Sequence, residues 1–143
     1  MGEDEKRRLL ETCRGDDFAD RRDAAILRLF MSTGIRRAEM AGLHVSDLDL
    51  DAVPLVGPCW ARAGECGASA SGSHKAVEAL DRYLTKRGTR PDADSEWLWL
   101  GQRGRLGETG VEQMVKRRGE AVGLSIHPHV LRRTFAHDWL THG

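Results

Sequence analysis

Two short strings in the sequence carry side chains suited to holding an anion and moving a proton beside it. The first is Thr33-Gly34-Ile35-Arg36-Arg37-Ala38-Glu39. A glycine that can close one helix in the left-handed conformation precedes an arginine that would open the next. There the guanidinium can reach outward beside backbone N–H groups, which also favour an anion. Glu39 follows Arg36 by one turn, within reach of its side chain, and could hold it in one rotamer. Taken alone, the two are equally an exposed ion pair of little energetic weight. The second string is His127-Pro128-His129-Val130-Leu131-Arg132-Arg133-Thr134-Phe135-Ala136. His129 and Arg132 share a face near the start of a helix. A histidine can exchange a proton with a phosphate oxygen, and an arginine can bind two oxygens at once. The His-x-x-Arg spacing by itself is common.

The elements that must position these residues are mostly helices. A charged helix is expected from Asp4 to Arg14, broken at Gly15. A second should run from Asp20, as its N-cap, to Ser32, with Ala24, Ile26, Leu27, Leu29, Phe30 and Met31 on a broad apolar face. Gly34 supplies the stop, and a short third helix spans Arg36 to Gly42. Val45 to Leu50 reads as a turn entering a strand near Val53–Val56. The stretch 57–73 has neither periodicity and reads as irregular. From Ser73, a plausible cap, Val77, Leu80, Tyr83 and Leu84 line a helix that stops at Gly88. Trp97–Leu100 reads as a short buried strand or turn. Thr109 and Glu112 have capping-box spacing. They open a helix lined by Val111, Met114, Val115 and Val122, ending at Gly123. A last helix starts near Pro128.

Composition excludes more than it selects. The 143 residues suit one domain, and the formal net charge is zero, which points to no polyanion. Locally, Arg103 to Arg133 holds seven basic residues against three acidic ones. On charge alone that is a solvated face. The three cysteines offer no CxxC pair, so neither a disulfide framework nor a zinc site is expected. No apolar run is long enough to span a bilayer, and no secretory leader pattern opens the chain, so the expected compartment is cytoplasmic.

Together the two strings are specific. TGxRxxE, followed about ninety residues later by HxLRxTFA, resembles the tyrosine recombinase (phage integrase) family. The surrounding text RRDAAILRLFMSTGIRRAEMAGLHVSDLDL, KAVEALDRYL and LWLGQRGRLGETGVEQMVKRRGEAVGLSIHPHVLRRTFAHDWLTHG looks like that family as well, leaving out only 57–73. The resemblance implies a partial recombinase catalytic core over residues 1–143. Its fold would be mainly α with a small antiparallel β-sheet, in the α+β class.

The resemblance also implies a chemistry. In the family, a tyrosine attacks a DNA phosphate to form a 3′-phosphotyrosine, and a second strand's hydroxyl later resolves it. The bond energy stays in the covalent link, so no metal or other cofactor is needed. By motif, Arg36 and Arg132 would stabilise the charge on the phosphoryl oxygens, and His129 would handle protons. Glu39 and Arg133 would support them, Arg133 standing where the family usually has a second histidine. The family's hairpin lysine should fall within 57–73, where there is none; Lys75 is the nearest and sits on a helix instead. The only tyrosine, Tyr83, reads as a packing residue, leaving no nucleophile. The family's N-terminal DNA-clamping domain and C-terminal tyrosine segment would both be missing. A local shift of reading frame would account for the unusual text of 57–73, at a cost to the sheet. The expectation is therefore a site-specific recombinase or integrase fragment unable to cleave DNA alone. Its partners would be DNA and full-length recombinase protomers, with no membrane and no metal. The alternatives are a non-catalytic DNA-binding or recombinase-pairing module and a decayed coding sequence. A type IB topoisomerase, which uses a similar residue set, ranks below them.

Overall fold

Helix α2, Phe18–Thr33, is the element around which the others assemble. Ala25, Ile26, Leu27, Leu29 and Phe30 are all fully buried, so its apolar surface is wide enough to be covered from several sides. The computed structural model describes residues 3–47, 74–102 and 104–126. Helix α1, Glu3–Glu11, buries Leu9. Helix α3, Arg37–Ala41, follows α2 after a tight corner. A 3₁₀ turn covers Val45–Asp47. Helix α4, His74–Arg87, makes the largest contact with α2 and buries Ala76, Leu80 and Tyr83. Strands β1, Leu100–Gly101, and β2, Gly104–Arg105, pair antiparallel with Leu100 opposite Arg105. Helix α5, Glu108–Glu120, covers the core with Val111, Met114 and Val115. The mainly helical fold with a small antiparallel sheet is as the sequence led one to expect.

Some boundaries differ for identifiable reasons. The N-cap of α2 is Asp17, whose Oδ1 accepts from the Asp20 backbone N–H at 2.9 Å. Asp20 is instead inside the helix, paired with Arg118 of α5 at 2.8 Å. The cap of α5 is Gly107, so Thr109 lies within the first turn. Glu112, expected to close a box with it, bonds Arg37. The expected strand near 53–56, the irregular stretch 57–73, the Ser73 cap and the helix from Pro128 lie outside the described residues.

Two arginines do structural work that no periodicity announces. Arg87 is buried at the end of α4, where its guanidinium donates to four carbonyls: Ala93 and Ser95 at 2.7 Å, Trp97 at 2.8 Å and Leu98 at 3.2 Å. It thereby shapes the whole loop ahead of β1. Arg118 bridges three helices. It bonds Asp23 and Asp20 of α2 and donates to the Thr12 carbonyl just after α1. Asp23 is 0 % exposed and also accepts from Arg22 at 2.8 Å. A buried carboxylate flanked by two guanidiniums satisfies the rule that buried charges are paired.

Candidate phosphate-binding site

The corner between α2 and α3 is built so that one arginine faces out. Gly34 has φ 66°, ψ 21°, the left-handed stop expected of it, and its N–H returns to the Phe30 carbonyl at 3.1 Å. Thr33 is buried; its hydroxyl donates to the Leu29 carbonyl at 2.7 Å and accepts from the Ile35 N–H at 3.2 Å. Ile35 is buried too. With these side chains turned inward, Arg36 emerges exposed, as the N-cap of α3, in an extended backbone conformation.

Glu39 plays a different part from the one its spacing suggested. Its Oε1 accepts the Arg36 backbone N–H at 3.3 Å, which fixes the start of α3 rather than the guanidinium. The reciprocal half of a capping box cannot form, because a guanidinium has no acceptor. Among the described residues, the Arg36 side chain has no ion pair, and it is exposed. Helix α3 is only five residues long, so the anion-holding capacity of this corner lies in the guanidinium and not in the helix end.

The corner is held from three directions. Arg37 bonds Glu108 and Glu112 of α5, each at 3.1 Å. The Leu98 N–H reaches the Leu43 carbonyl at 2.9 Å and the Val45 N–H the Glu96 carbonyl at 2.9 Å, so the segment after α3 runs antiparallel to residues 96–98, just ahead of β1. Above this join, His44 stacks on Trp97 with ring centroids 4.4 Å apart, and the Arg105 guanidinium lies 3.7 Å from the Trp97 centroid. Arg105 also donates to the Ala41 carbonyl at 3.3 Å. The sequence marks none of these partners in advance. A run such as Arg-Arg gives no hint that the first faces out while the second is tied to a helix about seventy residues away.

The second string begins one residue beyond the described body. Ile126 is buried on Gly119, where an added Cβ would meet Ile126 Cγ1 at 2.5 Å. This anchors the chain immediately before His127. His129, Arg132 and Arg133 themselves lie outside the described residues. Lys75 is where expected, exposed on α4.

Tyr83 faces the core. It is 0 % exposed, donates to the Leu98 carbonyl at 2.7 Å and accepts from the Leu100 N–H at 3.1 Å. Burial pushes its ionisation up to about 12, against the smaller opposing pull of the Leu100 N–H. Among the described residues no cluster of His, Cys, Asp or Glu could hold a metal ion, and no helix is long and apolar enough to cross a membrane.

Comparison with known proteins gives this arrangement a lineage. The model of the phage integrase family matches residues 1–143. The chain belongs to the phage integrase family. It is 39 % identical over 132 residues to the tyrosine recombinase XerC of Pseudomonas fluorescens, covering 90 % of this chain and 42 % of that protein. It is 38 % identical over 148 residues to the XerC of Stutzerimonas stutzeri, covering 94 % of this chain and 48 % of the relative. The crystal structure of XerA recombinase superposes with a TM-score of 0.77 at 28 % identity, covering all of this chain and 51 % of that one. The chain thus spans less than half the length of these XerC relatives. Within the phage integrase family, the α2–α3 corner is where the TGxRxxE motif stands in this sequence.

Proposed function

We propose that this chain provides the phosphate-gripping part of a site-specific tyrosine recombinase, and that the phosphate belongs to DNA. Arg36 would take the non-bridging oxygens from one side. Arg132 would take them from the other, with His129 beside it to exchange a proton and Glu39 and Arg133 in support. Two guanidiniums on one phosphoryl group stabilise the charge that builds up in the transition state of strand exchange. The observation that carries this reading is the Arg36 side chain. It is exposed and has no ion pair among the described residues, on a corner where Thr33, Arg37 and Glu39 are all engaged.

Residues 1–143 would bind and polarise a phosphate without cutting it. A cleaving nucleophile needs an accessible hydroxyl, and Tyr83 has both its hydrogen bonds in the core. The chain would act in the cytoplasm, on DNA alone or paired with recombinase protomers that carry their own tyrosine. Neither a metal ion nor another cofactor enters this chemistry.

The test is retention of a labelled DNA duplex, followed by fluorescence anisotropy as salt is raised. Binding should weaken steeply with salt, as counterion release requires. Arg36→Ala with Arg132→Ala should lower the affinity at least tenfold and flatten that dependence. Unchanged retention by the double variant would overturn the assignment of these arginines.

A further inference from the structure

On the face of α2 opposite in purpose to the corner, α2 and α4 enclose a groove with a regular pattern of charge. Its main cavity measures about 510 Å³, and a second of about 210 Å³ continues it, sharing Arg28, Ala79 and Arg82. Arg21 and Arg28 stand seven residues apart on α2, and Lys75 and Arg82 seven apart on α4. Seven residues are two turns, so each helix carries a pair of cations about 10.5 Å apart along its axis. Between the members of each pair lies an alanine, Ala24 on α2 and Ala79 on α4. These small side chains leave a trough between the charged rims. Leu10 and Cys13, from α1 and the turn after it, extend its apolar floor.

The charges are not cancelled in place. Arg21 is paired with Asp16 at 2.6 Å, Arg82 with Glu78 at 2.7 Å and Arg14 with Glu11 at 2.9 Å. Arg28 and Lys75 have no ion pair or hydrogen bond among the described residues. Counting the groove's Arg14, Arg21, Arg28, Lys75 and Arg82 against Glu78, Glu11 and Asp16 leaves five positive charges facing three negative. Arg28 is also half-buried, so it gives up hydration without gaining a counter-charge from any described residue. The Cys13 thiol adds no negative charge, because burial raises its ionisation.

We propose that this groove docks an acidic amphipathic helix of a partner protein. Such a helix would set one carboxylate against Arg28 and Lys75, which line the same end of the groove, and another two turns on towards Arg21 and Arg82, with a narrow apolar stripe over Ala24 and Ala79. The two-turn repeat of the cations matches the repeat of one helical face, and the alanine floor lets a third backbone approach closely. A nucleic-acid strand fits less well, since no aromatic ring lines the described groove for a base to stack on. The proposal stands apart from the phosphate site, because Arg36 does not line the groove.

The probe is a fluorescein-labelled helical peptide with glutamates about seven residues apart flanking an alanine–leucine stripe. Its binding to the full chain is read by anisotropy against a peptide of the same composition with the glutamates moved to the opposite face. The patterned peptide should bind at least tenfold more tightly. Arg28→Glu should abolish most of that preference, and Lys75→Glu should reduce it severalfold. Neither change breaks an ion pair among the described residues, and circular dichroism checks that both variants are folded. Arg36→Ala should leave peptide binding unchanged while weakening DNA retention, which separates this proposal from the previous one. Equal binding of the two peptides would overturn it, as would indifference to Arg28→Glu. A single-stranded oligonucleotide that displaces the peptide from the wild type, and binds Arg28→Glu poorly, would reassign the groove to nucleic acid.

Discussion

Replacing Asp23 by alanine should be among the most damaging single changes outside the apolar core. The carboxylate is 0 % exposed and lies between the guanidiniums of Arg22 and Arg118, at 2.8 Å from each. Arg22 is 6 % exposed, and the Arg118 side chain only 16 %. Among the described residues, removing the carboxylate leaves Arg22 with no acid partner and Arg118 with Asp20 alone. Breaking a buried pair in this way costs about 3–5 kcal/mol, mostly for the charge left behind. A domain of this size has roughly 5–15 kcal/mol in total, so about a fifth or more of its stability would go. Arg82 and Glu78 form the internal comparison. They bond at 2.7 Å, shorter than either Asp23 pair, but with side chains 55 % and 52 % exposed. Solvent screening limits such a pair to about 0–1 kcal/mol. Urea denaturation of Asp23→Ala and Glu78→Ala, with m-values compared to confirm two-state behaviour, separates the cases. If Asp23→Ala lost no more than Glu78→Ala, the claim that burial rather than distance sets the energy of these pairs would be refuted.

Two further predictions concern the core and the corner. Tyr83 is held protonated in the fold with its ionisation raised from 10.0 to about 12, so its contribution is fully present below pH 10 and fades as pH rises towards 12. Urea midpoints should fall across that window, and Tyr83→Phe should remove this part of the fall while costing about 1–3 kcal/mol at neutral pH for its two hydrogen bonds. Gly34→Ala places a Cβ at φ 66°, which costs about 1–2 kcal/mol. It should also weaken DNA retention by shifting Arg36, and a variant that loses stability but holds DNA as before would show that the corner does not aim the arginine.

The helices were legible because their apolar periodicity and glycine stops are local properties. Gly34 and the face of α2 came through on that basis. The caps were misread where a side chain had two uses. Asp20 and Glu112 have good capping chemistry, yet each is drawn to an arginine distant in sequence, Arg118 and Arg37. Glu39 went the other way, leaving its neighbour's guanidinium to serve a backbone N–H. The roles of Arg87 and Arg118 were invisible for a related reason: a buried arginine that gathers carbonyls or carboxylates has the same local text as one on the surface. Arg36 was singled out by its motif, and the fold places it exposed at the N-cap of α3.

The backbone join between residues 43–45 and 96–98 has a consequence for how this lineage can change. It fastens the chain on both sides of residues 48–73, and the α2–α4 contact fastens it again. The two ends of the intervening sequence therefore start from a body that is already tied together at its base. Closing such a segment grows costlier only slowly with length, by about 0.6 kcal/mol for each doubling. Added length between these two tied ends thus costs the scaffold that carries Arg36 little in closure entropy.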